Sequence, residues 1–242
     1  SNIVIITSGV GRKPGQSRLD LAQINVNITK SIIPEITKYA PDATYIIVSN
    51  PVDILTYTAA KLSGLPEGRV FGTGTVLDTA RLKYLLSDHL GVDGRSIHAF
   101  IIGEHGDSEF VPWSQALLST KRVIDICNED NQYSIDELEK ISEQVRTSAY
   151  TIIKAKNATY YGIGMSMVRL TKAILGNENS VLTVSAKLTG EYGQNGVYVG
   201  IPCIIGRNGI GKILEIDLTE EEKEKFLASC KTLSDSYNEI IN

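Results

Sequence analysis

Short, dense apolar runs alternate with longer amphipathic stretches in the first third of the chain. Ile3-Val4-Ile5-Ile6 is wholly β-branched and reads as a buried strand of a parallel sheet. A helix is expected from about Ser17 to Ala40, where Ser17 and Asp20 resemble a capping box and Pro34 predicts a kink. Thr44–Val48 is a second short strand, ending in Ser49-Asn50-Pro51, and a helix follows to about Ser63. Arg69–Phe71 is a third strand, running through Gly72-Thr73-Gly74-Thr75 into a helix from about Leu77 to Leu90. Strand and helix in alternation argue for an α/β fold with a parallel sheet.

The pattern then changes. Ile97–Ile102 reads as a strand leading into the polar turn Gly103-Glu104-His105-Gly106-Asp107-Ser108-Glu109. Ser134-Ile135-Asp136-Glu137 is a capping box that opens a helix to about Lys156, and a second helix covers roughly Tyr161–Leu175. Val181–Thr189, Gly196–Ile205 and Ile213–Ile216 look like consecutive antiparallel strands with glycine turns. Thr219 to Glu222 caps a last helix, whose apolar positions Phe226, Cys230, Leu233, Tyr237 and Ile240 share one face. The expected fold is therefore α/β followed by α+β. The domain boundary is placed near Gly72, giving segments 1–72 and 73–242.

Composition narrows the function classes. The 242 residues are 42% hydrophobic and 21% charged, with a net charge of −4, which argues against a sequence-independent nucleic-acid footprint. The cations are local, which suggests small anionic ligands. Cys127, Cys203 and Cys230 are too widely spaced for a metal-ligand pattern or a disulfide framework, so a reducing cytoplasm is expected. No apolar run approaches the roughly 18 residues of a membrane span. The chain opens without Met, straight into an apolar strand, from which preceding sequence is expected.

Four short stretches carry candidate chemistry. GVGRKPGQSR, residues 9–18, holds the cations Arg12, Lys13 and Arg18 in a glycine-rich loop. SNPVD, residues 49–53, stands at the carboxyl end of a strand, where open α/β sheets bind ligands. In LDTAR, Asp78 and Arg81 are three apart and share a helix face; they read either as a helical ion pair or as a divided pair. In the divided reading Asp78 orients a distant His and Arg81 grips a carboxylate. In HGDSE, His105 reads as an exposed loop residue or an active-site acid/base, and Asp107 and Glu109 as surface or interface groups.

Taken together, GxxRKPGxxR, SNPVD, LDxxR, IIGEHGDSE and ATYYGI occur in an order that resembles the L-lactate/malate dehydrogenase family. The resemblance covers essentially the whole chain and is nearest to bacterial L-lactate dehydrogenases. It implies a remnant of a Rossmann-type parallel sheet followed by that family's C-terminal α+β domain, with NAD as cofactor. It implies His105 as general acid/base, Asp78 as its orienting carboxylate and Arg81 as the clamp on the substrate carboxylate. Arg18 matches the loop arginine that polarises the reacting carbonyl, and Asn50 a residue touching substrate and cofactor. Thr159 matches the threonine lining the lactate pocket. Gly9, Val10, Ser31, Val48, Ser49 and Thr73 match positions that contact the dinucleotide. Lys83 and His98 match positions that bind fructose 1,6-bisphosphate across a subunit interface, the first having Lys where Arg is usual. The resemblance further implies a homo-oligomer, a tetramer or dimer, and no metal.

Two departures matter. The family's Gly-rich turn and the acidic residue about 20 positions later do not occur, and by analogy roughly 70–80 residues are absent in front. Weak NADH binding is expected of the 242 residues alone, so a non-catalytic scaffold stays an alternative. The second departure is Arg12. Lactate enzymes usually carry Gln there, facing the methyl of pyruvate; malate enzymes carry Arg, facing the second carboxylate of oxaloacetate. Closing a cation over a methyl leaves a buried unpaired charge costing about 3–5 kcal/mol. Pyruvate/lactate is the expected substrate pair, and oxaloacetate/malate the alternative. An NAD-dependent glycosidase, which needs a metal and cysteine or histidine ligands, fits the motifs least.

Overall fold

The computed structural model describes residues 1–11, 18–129 and 133–241. The first part runs β1 (Ile3–Ile6), α1 (Arg18–Tyr39), β2 (Thr44–Ile47), α2 (Val52–Ser63), β3 (Val70–Gly72) and α3 (Val76–Leu90). There follow β4 (Ile97–His98), β5 (Leu117–Leu118), β6 (Lys121–Arg122), α4 (Val123–Glu129), α5 (Ile135–Lys156) and α6 (Tyr161–Leu175). The chain closes with β7 (Ser180–Thr189), β8 (Asn195–Gly206), β9 (Gly209–Ile213) and α7 (Glu220–Ile241).

Six strands form one mixed sheet in the order β1-β2-β3-β7-β8-β9. The first three are mutually parallel, and β7 joins them antiparallel through the single pair Gly72–Ser185. At that seam a side chain on residue 72 would run into Thr56 and Ser185, so only glycine lets α2 and β7 approach β3 together. The sheet thus runs across the expected boundary at Gly72. Its core includes Tyr45, Ile46, Ile47, Phe71, Val184, Ile201 and Phe226. A smaller core of Leu82, Leu86, Ile97, Ile101, Leu138 and Val145 joins α3, β4 and α5.

Helix ends follow the capping chemistry expected of them. Glu137 N–H donates to Ser134 Oγ (3.3 Å) and Ser134 N–H to Glu137 Oε2 (2.9 Å). The same reciprocal pair joins Thr219 and Glu222 at α7, at 3.3 and 2.9 Å. The expected face of α7, from Phe226 to Ile240, is buried throughout. The expected cap at Ser17 lies outside the described residues, and α1 runs on through Pro34.

β1 pairs in parallel with β2 as expected and stands at the edge of the described sheet, with Ile5 41% exposed. Two expectations need correction. Ile97–Ile102 is not one strand: Ile97 and His98 pair with β5, whereas Ile102 bridges Phe110 and Gly103 bridges Gly200. The segment changes partners as it crosses from the small sheet to the large one, so no single ladder holds it. The last strand is Gly209–Ile213 instead of Ile213–Ile216, because the β8–β9 hairpin closes tightly at Gly206–Gly209. Ile216 N–H is taken instead by Tyr192 Oη, at 2.8 Å.

Candidate active site

Two buried carboxylates, one from α3 and one from the loop that carries His105, meet at one imidazole. Asp78 stands in the first turn of α3, its side chain 3% exposed. Its Oδ2 lies 2.7 Å from His105 Nδ1, and its Oδ1 accepts from Arg81 Nη1 at 3.2 Å. Asp78 thus pairs with Arg81 along the helix and with His105 across the fold. Glu109 approaches the same Nδ1 at 3.8 Å and is buried, which corrects its expected place at the surface. Asp107, by contrast, is exposed.

The turn is held from below. Asp53, 2% exposed in the first turn of α2, accepts His105 N–H at 2.9 Å and Ser185 Oγ–H at 2.5 Å. One carboxylate so ties α2, the His105 turn and β7 together at the sheet seam.

These contacts set the protonation states. Burial works against a charged imidazole, but the Asp78 charge and hydrogen bond, with Glu109 behind them, hold His105 well above its ordinary range. Burial would raise Asp78, yet His105 and then Arg81 bring it below the ordinary carboxylate value. Glu109 is pushed up to about 7, first by burial and further by the Asp78 charge. Asp53 is pushed up to about 6 by burial, against the hydrogen bonds from Ser185 and His105. Ligand-type atoms of Asp78, His105 and Glu109 fall within 4.8 Å of one another. The 2.7 Å between the first two is a hydrogen bond, so the cluster is built to hold a proton.

A second group of residues gathers at the carboxyl ends of the parallel strands. Gly9 and Val10 follow β1, Val48, Ser49 and Asn50 follow β2, and Thr73 follows β3. Asn25 of α1, 1% exposed, links the first two loops. It accepts Val10 N–H at 2.8 Å and donates to the carbonyls of Val10 (3.2 Å) and Asn50 (2.7 Å). A Cβ on Gly9 would sit 3.2 Å from Asn25 Oδ1 and Ser49 Cβ, so a larger residue would require those side chains to shift by a few tenths of an ångström. Ser49 Oγ is buried without a partner among the described residues. A narrow glycine-lined cradle with a waiting hydroxyl, at the ends of parallel strands, fits a dinucleotide.

The other expected site residues are placed as follows. Thr159 is half-buried in the link between α5 and α6. Ser31 is exposed on α1, its hydroxyl donating to the Ile28 carbonyl at 2.8 Å. Lys83 Nζ lies 5.6 Å over the Phe100 ring, its pKa lowered by burial, and His98 is exposed on β4. Arg12 lies outside the described residues; Arg18 opens α1, and its side chain lies outside them too. Sequence reasoning missed Asp53, although SNPVD was in view, because its partners Ser185 and the His105 amide are remote in sequence. Asn25 has no local signal at all.

A family model described as lactate/malate dehydrogenase, NAD binding domain, matches residues 1–72. A second, described as lactate/malate dehydrogenase, alpha/beta C-terminal domain, matches residues 75–242. The chain belongs to the lactate/malate dehydrogenase family. Among relatives, L-lactate dehydrogenase 2 of Bacillus cereus is 50% identical over 241 residues, covering 100% of this chain and 77% of that protein. The L-lactate dehydrogenase of Macrococcus caseolyticus is 52% identical over 233 residues, covering 96% and 74%. Among solved structures, the ligand-bound minor L-lactate dehydrogenase of Enterococcus mundtii superposes with a TM-score of 0.95. It is 44% identical, over 98% of this chain and 76% of that one. The lactate/malate dehydrogenase assignment makes the chain an NAD-dependent oxidoreductase with the mixed fold expected of it, and no described helix is long and apolar enough to cross a membrane.

Proposed function

We propose that the protein catalyses L-lactate dehydrogenase chemistry, the reversible reduction of pyruvate to L-lactate. The observation that carries this is the His105–Asp78 pair with Arg81 on the same carboxylate. Bound NADH supplies the hydride. His105 supplies the proton: with Nδ1–H directed at Asp78, Nε2 carries the proton given to the carbonyl oxygen, and takes it back in lactate oxidation. Arg81 offers a planar fork to the substrate carboxylate. Arg18 and Asn50 act on the reacting carbonyl, and Thr159 lines the pocket at the methyl end. Gly9, Val10, Ser31, Val48, Ser49, Asn50 and Thr73 hold the dinucleotide, with 1–72 as the cofactor segment and 73–242 as the substrate segment.

The residue type at Arg12 supports a second reading, oxaloacetate reduction, in which that cation pairs with the extra carboxylate. Comparing kcat/KM for pyruvate and oxaloacetate in the full-length protein decides between them. Pyruvate is expected to lead; an oxaloacetate preference of tenfold or more overturns the lactate reading, and activity on neither overturns both. We further propose a cytoplasmic, glycolytic homotetramer in which Lys83 and His98 bind fructose 1,6-bisphosphate. Activation by that sugar that disappears in His98→Ala is the expected result, and indifference to it removes the site.

A further inference from the structure

The last helix reaches the catalytic turn through one hydroxyl. Ser229 of α7 is fully buried, and its Oγ accepts Glu104 N–H at 2.6 Å. Ser108 Oγ donates to Glu104 Oε2 at 2.5 Å and lies 3.0 Å from Ser229 Oγ. With the Ser108 proton committed to the carboxylate, the Ser229 proton goes to Ser108 Oγ. The three bonds form a closed, directed ring: Glu104 amide to Ser229, Ser229 to Ser108, Ser108 to the Glu104 carboxylate. The ring starts and ends on the residue that precedes His105.

Two glycines are shaped to it. A Cβ on Gly103, whose φ is 102°, would come within 2.9 Å of Ser229 Oγ. A Cβ on Gly106 would come within 2.9 Å of Glu104 Oε1, where the carboxylate lies across the turn. Neighbouring hydroxyls on α7 behave differently. Thr232, Ser234 and Ser236 each donate to the carbonyl four residues back, the ordinary use of a helical hydroxyl. Seven residues before Ser229, two helical turns away, Glu222 grips the chain just beyond the turn, accepting Ser114 N–H at 3.0 Å and its hydroxyl at 2.6 Å.

We propose that Ser229 is a positioning residue for the reaction: with Ser108 it fixes the Glu104 amide from α7 while Asp53 fixes the His105 amide from α2. Two successive amides held from two helices leave the imidazole one height above Asp78. The inference rests on His105 being the acid/base of the proposed reaction. The charged groups around His105 are Asp78 and Arg81 of α3, Asp53 of α2, Glu104 and Glu109 of its own turn, and Arg146 of α5 near Glu109. None is changed by the variants below.

The experiment compares Ser229→Ala, Ser108→Ala and Tyr237→Phe in the full-length protein. Tyr237→Phe is the control, since it loosens α7 where Tyr237 Oη donates to the Tyr198 carbonyl at 3.1 Å, outside the ring of Glu104, Ser229 and Ser108. The readouts are kcat for pyruvate reduction, thermal midpoint, and titration of His89, His98 and His105 by NMR of 13C-histidine-labelled protein. Ser229→Ala should lower kcat about tenfold, the scale of a sub-ångström misplacement. It should also move the His105 titration to lower pH by about half a unit as the Asp78 bond lengthens, leaving His89 and His98 in place. Ser108→Ala, on the outer side of the ring, should do the same to about one third of the extent in kcat, with folding unaffected. Tyr237→Phe should lower the midpoint alone. A Ser229→Ala protein with wild-type kcat and His105 titration overturns the proposal, whatever its midpoint. So does a Tyr237→Phe protein that reproduces the catalytic loss. If the unaltered protein reduces no keto acid while its His105 still moves in Ser229→Ala, the reaction assignment fails and the positioning role stands.

Discussion

Replacing Asp78 with Asn tests how the imidazole keeps its proton. The 2.7 Å bond to His105 Nδ1 is buried, and the carboxylate also serves Arg81 at 3.2 Å. A hydrogen bond to a charged group contributes about 1.5–3 kcal/mol. At 1.36 kcal/mol per unit, its loss should bring the alkaline limb of pyruvate reduction down by about one to two pH units. The direction follows from the sign of the effect. A raised imidazole pKa keeps the proton-donating form to higher pH, so losing its cause moves the limb down. Glu109 moderates the result, since its Oε2 is 3.8 Å from the same nitrogen and its carboxyl is pushed up to about 7, partly by Asp78 itself. With the Asp78 charge gone, Glu109 ionises more readily and restores part of the field. Asp78→Asn alone should therefore fall at the small end of that range, and Asp78→Asn with Glu109→Gln at the large end. The assay is kcat/KM for pyruvate against pH, beside the NMR titration of His105. A limb that stays put in the single variant, or coincides in single and double variants, refutes the reasoning.

Asp53→Ala should destabilise the fold by roughly 3 kcal/mol in urea unfolding, because it leaves the buried His105 amide and Ser185 hydroxyl without their acceptor. Its kcat should fall as well; unchanged stability and rate would show the bracket to be dispensable. Phe226→Ala, at a fully buried position of α7, should cost about 3–5 kcal/mol by the same measurement, and a loss under 1 kcal/mol would mean that α7 docks by its polar contacts alone. Arg12→Gln should lower the oxaloacetate-to-pyruvate ratio of kcat/KM by roughly 10- to 100-fold, and an unchanged ratio removes Arg12 from substrate selection.

Local chemistry made much of this fold legible. The caps at Ser134 and Thr219 and the apolar face from Phe226 to Ile240 are encoded within a few residues, and those elements form where the spacing predicts them. The HGDSE turn and LDTAR were visible as motifs, though only folding brings His105 to Asp78, 27 positions away. What stayed hidden depends on remote partners. Glu109 looks like a surface carboxylate but is buried beside His105, and Ile102 changes sheets in mid-segment for want of a continuous partner. Asp53, Ser185 and Ser229 are ordinary polar residues in sequence, more than 40 positions from what they hold.

The seam at Gly72 and Ser185 bears on how members of this family could be recombined. A chimaera joined between residues 72 and 75 takes Asp53 from one parent and Ser185, with the His105 amide, from the other. Crossovers there should yield working hybrids only when the parent of the first segment supplies the acidic side chain and the strand-contact glycine, and the parent of the second the hydroxyl.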